Sequence, residues 1–163
     1  MALAVGTQAP DFSLSTITAD GPKLVSLAGH KDKNVVLMFF PMAFTGVCTT
    51  EFCTLTEGLD DYTSLNAEVI GISGDNPFAQ ANWAEKEGIK VTLIADYEHE
   101  VAKAYDVAYD AFLPDKNLPM GGVPKRSAFV VDKDGVIQYA ESSDSPGDLP
   151  DFDAIKAKLA ELS

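Results

Sequence analysis

The sequence contains few residues of the kinds that bind metals, and it has no long hydrophobic run. Its 163 residues include two cysteines and two histidines, with no close-spaced pair of the type that forms zinc sites. No apolar run reaches the about 18 residues of a membrane span, and the first residues do not resemble a signal peptide. We therefore expect a cytoplasmic protein without a metal, where a cysteine pair more often serves catalysis than a structural disulfide.

Positive charge is also scarce. Lysine and arginine together number 12 against 25 aspartate and glutamate residues, which gives a net charge of −13, and Arg126 is the single arginine. Such a charge argues against binding to nucleic acids or to anionic membranes. Aspartate outnumbers glutamate and lysine is sparse, a composition that would suit a salt-rich cytoplasm.

The chain alternates predicted strands and helices without a linker or repeat, so we expect one domain over residues 1–163. The predicted strands are 10–15 and 23–27 as a hairpin, 35–40, 68–73, 91–96, and 127–131 and 136–141 as a second hairpin. The predicted helices are 49–62, 77–87, 98–105 and 152–162. This order indicates a layered α/β domain with parallel pairings. The segment 110–124 has no periodicity, and so long a connection is usually functional or mobile.

The stretch from Phe39 to Cys53 is the part of the chain where chemistry is expected. Pro41 ends a buried strand, and a short loop then leads to Cys48 at the start of a helical pattern. Unpaired N–H groups at a helix N-terminus favour a thiolate, which is the nucleophilic form of cysteine. The alternative is that both cysteines are small buried hydrophobic residues.

The pattern Pro41-x-x-x-Thr45-x-x-Cys48 resembles the active-site signature of the peroxiredoxins, which are thiol peroxidases. The resemblance continues over nearly the whole chain, notably in residues 6–12, 34–40 and 126–132. It implies a thioredoxin-like fold, with a central mixed sheet flanked by helices and an N-terminal β-hairpin. It also implies an enzyme that uses no cofactor.

The resemblance gives a role to each residue of the signature. Cys48 would attack the peroxide, Arg126 would hold both the thiolate and a peroxide oxygen, and Thr45 would orient the substrate. Pro41 would shape the loop and shield the sulfur, although ending the strand is also sufficient reason for a proline there. Glu51 would either position the arginine or interact with the helix dipole.

Cys53 determines the expected subtype. A second cysteine five residues after the first resembles the bacterioferritin-comigratory, or Q-type, branch, in which it resolves the sulfenic acid as a disulfide. Five residues of helix advance about 7.5 Å and turn about 500°, which places the two Cα atoms beyond the roughly 7 Å that a disulfide tolerates. Residues 48–54 would therefore have to unwind. The stretch also resembles the alkyl hydroperoxide reductase E-type branch, in which an external thiol can replace Cys53.

The sequence thus predicts a thiol peroxidase that reduces hydrogen peroxide and organic hydroperoxides. Its electrons would come from a thioredoxin-like protein or a low-molecular-weight thiol, and the family suggests a homodimer. The alternatives are a disulfide oxidoreductase, which the absence of a Cys-x-x-Cys motif disfavours, and a redox sensor without turnover. A metal site would have to use His30 and His99 as ligands together with the two cysteines.

Overall fold

The computed structural model describes residues 2–163 as a seven-stranded sheet with helices on both faces. The strands are β1 Ser13–Thr18, β2 Gly21–Ser26, β3 Asn34–Phe39, β4 Ala67–Ser73, β5 Thr92–Ala95, β6 Ser127–Val131 and β7 Ile137–Ser142. The helices are α1 Gly46–Glu57, α2 Leu59–Ser64, α3 Pro77–Glu87, α4 Glu100–Ala104 and α5 Phe152–Leu162, with single 3₁₀ turns at Ala28–His30 and Pro114–Lys116. Within this described chain, no helix combines the length and the hydrophobicity needed to cross a bilayer.

The strand order in the sheet is β2-β1-β5-β4-β3-β6-β7. Strands β3, β4 and β5 pair in parallel, whereas the β1–β2 and β6–β7 hairpins and the contacts of β1 with β5 and β3 with β6 are antiparallel. This arrangement confirms the predicted mixed sheet and the N-terminal hairpin. The register that pairs Phe39 with Ser127 determines the site, because it places Arg126 beside the C-terminal end of β3.

Strand β3 lies in the middle of the protein, and all six of its residues are buried. Successive side chains of a strand point to opposite faces, so β3 contributes to two separate hydrophobic cores. Val36 and Met38 face the core that α1, α2, α3 and α5 cover. Leu37 and Phe39 face the core that α4 covers. A strand buried on both faces needs a continuous apolar run, which explains why this segment was recognisable from the sequence.

The helix predicted over residues 49–62 is divided in the structure. It begins three residues earlier, at Gly46, and ends at Glu57, and Gly58 separates it from α2. Glycine is a poor helix former, and the backbone N–H of Gly58 donates to the carbonyl of Thr54 to close α1. The apolar spacing continues across this break, which is why the pattern predicted one helix.

The segment 110–124 is folded, although it contains little regular structure. Its ends approach each other where the N–H of Tyr109 donates to the carbonyl of Val123 at 2.8 Å. Tyr109, Phe112 and Val123 form a small hydrophobic cluster against which Met42 packs. This segment therefore contacts the loop that follows β3.

Candidate active site

The loop between β3 and α1 turns sharply before the helix begins. Pro41 is buried, and the next turn is closed by the hydroxyl of Thr45, which donates to the carbonyl of Met42 at 2.8 Å. Phe44 has a positive φ of 66°, and Thr45 returns to an extended conformation as the N-cap residue of α1. Cys48 is then the third residue of α1, within its first turn.

The sulfur of Cys48 contacts the guanidinium of Arg126. The Nη2 atom of Arg126 donates to Sγ at 3.3 Å, and the two residues are only 1% and 3% exposed. Arg126 reaches the sulfur because it immediately precedes β6, which pairs with β3. Two residues 78 positions apart in the chain thus form one buried contact.

Glu51 completes a buried group of three charged or ionisable side chains. Its Oε1 atom accepts a hydrogen bond from Nη1 of Arg126 at 2.5 Å, and the residue is 0% exposed. Burial raises the pKa of Glu51 to about 7, although the charge of Arg126 acts in the opposite direction. Burial would lower the pKa of Arg126, but the charges of Glu51 and Cys48 outweigh it, so that this pKa is raised.

Glu51 lies away from the start of α1 and contacts Arg126. Because α1 begins at Gly46, Glu51 lies in the second turn and not in the first, where the helix dipole acts most strongly. It stands one turn after Cys48 on the same face of the helix. Its interaction is therefore with the arginine.

A backbone carbonyl that the sequence did not reveal also holds Arg126. The oxygen of Pro146 accepts from Nη2 at 2.8 Å and from Nε at 3.3 Å. Pro146 belongs to the loop between β7 and α5, which the sequence marked only as a loop. A carbonyl group occurs in every residue, so no sequence signal could have identified this one.

The indole of Trp83 supports the first turn of α1. This buried side chain packs against Phe40 and Phe52, and its Nε1 atom donates to the hydroxyl of Thr49 at 3.1 Å. Thr49 follows Cys48 directly and itself donates to the carbonyl of Thr45 at 2.8 Å. The only tryptophan of the chain therefore reports on the turn that holds the thiol.

Cys53 points away from this group. Its sulfur lies 3.8 Å from the carbonyl oxygen of Glu87, at the end of α3. Burial, followed by the charges of Glu87 and Glu57, raises the pKa of this thiol. Both cysteines are free thiols on one intact helix, so the structure brings Cys48 together with Arg126 but not with Cys53.

The other possible soft ligands do not approach the cysteines. His30 contacts the carbonyl of Ser26, and His99 packs beside Gly74 and Gly122. Over residues 2–163, no three histidine, cysteine, aspartate or glutamate side chains are grouped closely enough to hold a metal ion.

A buried thiol in the first turn of a helix, next to a buried arginine on a thioredoxin-like sheet, defines a thiol redox site. The model of the AhpC/TSA family matches residues 5–140. Alkyl hydroperoxide reductase E of Mycobacterium tuberculosis is 34% identical over 152 residues, which cover 91% of each chain. Peroxiredoxin Q, chloroplastic, of Triticum aestivum is 38% identical over 134 residues, 82% of this chain and 57% of the relative.

A solved structure of a peroxidoxin has the same fold. The structure of peroxidoxin BcpB from Mycobacterium tuberculosis superposes with a TM-score of 0.82 at 28% identity, covering 98% of this chain and 97% of that one. The chain therefore belongs to the AhpC/TSA family and is a peroxiredoxin, a thiol-dependent peroxidase.

Proposed function

We propose that this peroxiredoxin reduces hydrogen peroxide and organic hydroperoxides with Cys48 as the attacking nucleophile. The thiolate forms a bond to one peroxide oxygen while the O–O bond breaks. The sulfur becomes a sulfenic acid, and the other oxygen leaves with a proton as water or an alcohol. The observation that carries this proposal is the 3.3 Å contact between the Cys48 sulfur and the buried guanidinium of Arg126.

The guanidinium has two tasks in this reaction. Its permanent charge lies beside the attacking sulfur, and its N–H donors can stabilise the charge that develops on the leaving oxygen. The contact with Glu51 and the two hydrogen bonds to the Pro146 carbonyl fix its plane. A guanidinium held in this way does not have to reorganise when the charge moves.

Thr45 and Pro41 would shape the space in front of the sulfur. The single hydroxyl proton of Thr45 is used in the bond to Met42, so its oxygen is free to accept a hydrogen bond from the O–H of a hydroperoxide. Pro41 is buried and has no N–H, so it excludes water without offering a competing donor.

We further propose that Cys53 resolves the sulfenic acid. Its thiol attacks the Cys48 sulfur, a disulfide forms, and the hydroxyl leaves as water. Since the two sulfurs face different elements of the fold, the first turns of α1 have to unwind for this step. The similarity to peroxiredoxin Q supports this route, whereas the similarity to alkyl hydroperoxide reductase E supports direct reduction of Cys48 by an external thiol.

We propose a thioredoxin-type protein as the reductant of the disulfide. We also propose that the enzyme has a single domain, lies in the cytoplasm and forms a homodimer. A pair of free thiols suits a reducing compartment. Strands from both ends of the chain share one sheet, which supports a single domain. Size-exclusion chromatography with light scattering tests the dimer, because a mass of 17.4 kDa at micromolar concentration would contradict it.

Mass spectrometry after one equivalent of hydrogen peroxide tests the chemistry. We expect an internal disulfide in the parent protein and an accumulating sulfenic or sulfinic acid on Cys48 in Cys53→Ser. An unmodified Cys48 in both proteins would refute the proposal. Peroxide consumption with and without a thioredoxin reducing system then separates an enzyme from a redox sensor, because a sensor reacts once and does not turn over.

A further inference from the structure

A chain of hydrogen bonds connects the core of the protein to the loop in front of Cys48. The amide Nε2 of Gln80 in α3 donates to the carbonyl of Ile94 and to the hydroxyl of Ser73, both at 2.9 Å. That hydroxyl donates to Oδ2 of Asp75 at 2.7 Å. The same carboxylate oxygen accepts from the backbone N–H of Ala43 at 2.7 Å.

The direction of each bond is fixed. A peptide N–H only donates, so the Asp75 carboxylate is an acceptor towards Ala43. A hydroxyl has one proton, and because Ser73 gives it to Asp75, Ser73 accepts from Gln80. Ser73 and Gln80 are 0% and 1% exposed, so this series of hydrogen bonds is a rigid part of the interior. Ser73 thus fixes the Asp75 carboxylate in the position from which it binds the loop.

The loop requires such an attachment because it contains a strained residue. Phe44 has a φ of 66°, a conformation that bulky residues rarely adopt and that costs about 1–3 kcal/mol. Its side chain is 51% exposed, so burial of the ring does not hold the backbone in place. The bond of Thr45 to Met42 lies within the loop, whereas the bond of Ala43 to Asp75 fastens the loop to the sheet.

We propose that Asp75 is a positioning residue of this peroxidase. By holding Ala43, it keeps the loop 41–45 in the conformation in which the hydroxyl of Thr45 faces the peroxide approaching Cys48. This inference rests on the proposed function. A displacement of about 1 Å in a group that orients a substrate costs about 10²-fold in rate, so loss of the carboxylate slows oxidation by peroxide.

The test compares variants in a Cys53→Ser background, where Cys48 is the only thiol. Stopped-flow measurements give the second-order rate of Cys48 oxidation by hydrogen peroxide, and iodoacetamide gives the rate of its alkylation. Asp75→Ala is expected to lower the peroxide rate about 10–100-fold and to leave the alkylation rate within about threefold, since alkylation does not use the peroxide-orienting loop. Asp75→Asn retains most of the peroxide rate, because the amide oxygen can still accept both hydrogen bonds.

Asn76→Ala is the matched control. The side chain of Asn76 caps α3 by accepting from the N–H of Ala79 at 2.8 Å and does not hold the loop. Its removal costs about 1 kcal/mol of stability, and the peroxide rate should stay at the parent value. Where Asp75→Ala does not fold, Ser73→Ala replaces it, with an expected loss of about 3–10-fold because one support of the carboxylate is gone.

A peroxide rate of Asp75→Ala within twofold of the parent would overturn the inference, and so would an equal loss in Asn76→Ala or a parallel fall in alkylation. If Ser73→Ala is used in place of Asp75→Ala, a peroxide rate within twofold of the parent rate would also overturn the inference. A parent protein that alkylates normally but does not react with peroxide would instead refute the proposed function itself.

Discussion

Arg126 is the residue on which the other charges of the site depend. It contacts one carboxylate and one sulfur at buried positions, and the carbonyl oxygen of the half-buried Pro146. A buried cation is tolerated only when its donors are paired. Glu51 and the Cys48 sulfur both contact this one guanidinium, so the loss of Arg126 would leave two buried groups without their partner.

Arg126→Lys should slow the oxidation of Cys48 by hydrogen peroxide by about 10²–10³-fold, the range for losing one preorganised donor to a developing oxyanion. A lysine is a point charge and cannot hold Glu51 and the sulfur together. The measurement is the second-order rate of thiol oxidation. Lys125→Gln is the control, because this neighbouring cation pairs with the exposed Asp144 and should change the rate by less than about threefold. A similar loss in both variants would contradict the account.

Glu51 should make the stability of the protein depend on pH. Its folded-state pKa of about 7 lies above the ordinary value of 4.5, so its contribution is complete below pH 4.5 and is lost as the pH rises through 7. The parent should therefore lose stability relative to Glu51→Gln between about pH 5 and 8, by an amount on the order of 3 kcal/mol. Urea unfolding of both proteins in a Cys48→Ser background measures the difference without titration of that thiol. A difference that stays constant or grows with pH would refute this assignment.

At the scale of elements, α1 is the helix that has to rearrange. Its first two turns are rich in threonine, a poor helix former, and the hydroxyls of Thr49 and Thr50 bond back to the carbonyls of Thr45 and Gly46. Trp83 fastens the first turn from the side. Local opening of α1 therefore breaks these side-chain bonds and removes the hydroxyl to which the Trp83 indole donates.

Formation of the disulfide should change the fluorescence of Trp83 and reduce the far-UV helix signal. Unwinding around Cys48 removes the partner of the indole N–H and admits water to the ring. The parent and Cys53→Ser are compared after one equivalent of peroxide, with the large change expected only in the parent. Equal changes in both proteins, or an intact helix signal after both thiols have disappeared, would contradict the proposed unwinding.

Contacts between residues far apart in the chain were harder to predict from the sequence than local structure. The strand before Pro41 and the helix start before Cys48 were predictable because apolar runs and turn residues act locally. Arg126 was predicted from the resemblance of residues 126–132 to the family and from its being the single arginine of the chain. The Pro146 carbonyl and the bond between Ala43 and Asp75 left no signal, because a backbone group has no sequence signature.

The ends of the helices were less predictable from the sequence than their presence. Gly58 divides the predicted helix, and α4 spans only Glu100–Ala104, because His99 adopts a left-handed conformation before it. Apolar spacing reports which face of a segment is buried and does not report where its backbone hydrogen bonds end. The site was predictable where it depended on residue type, and not where it depended on the path of the backbone.

At the scale of the whole molecule, excess negative charge is the dominant feature. A net charge of −13 makes the compact state repel itself, and dissolved salt screens this repulsion. The melting temperature should therefore rise by about 4 °C or more between 0.05 and 1 M sodium chloride, which corresponds to about 1–2 kcal/mol. Differential scanning calorimetry measures it.

The same salt series at the isoelectric pH of about 4.3 is the control, because little net charge remains there to be screened. A melting temperature independent of salt at pH 7 would argue against a surface adapted to a salt-rich environment.

The Cys48 thiol is the group on which the proposed peroxidase chemistry depends. The most direct test is the rate at which one equivalent of hydrogen peroxide consumes the remaining thiol in Cys48→Ser and in Cys53→Ser. We predict that Cys53→Ser reacts within a few-fold of the parent rate and that Cys48→Ser reacts no faster than free cysteine. Rapid oxidation of Cys53 in Cys48→Ser, with a slow reaction in Cys53→Ser, would contradict the account.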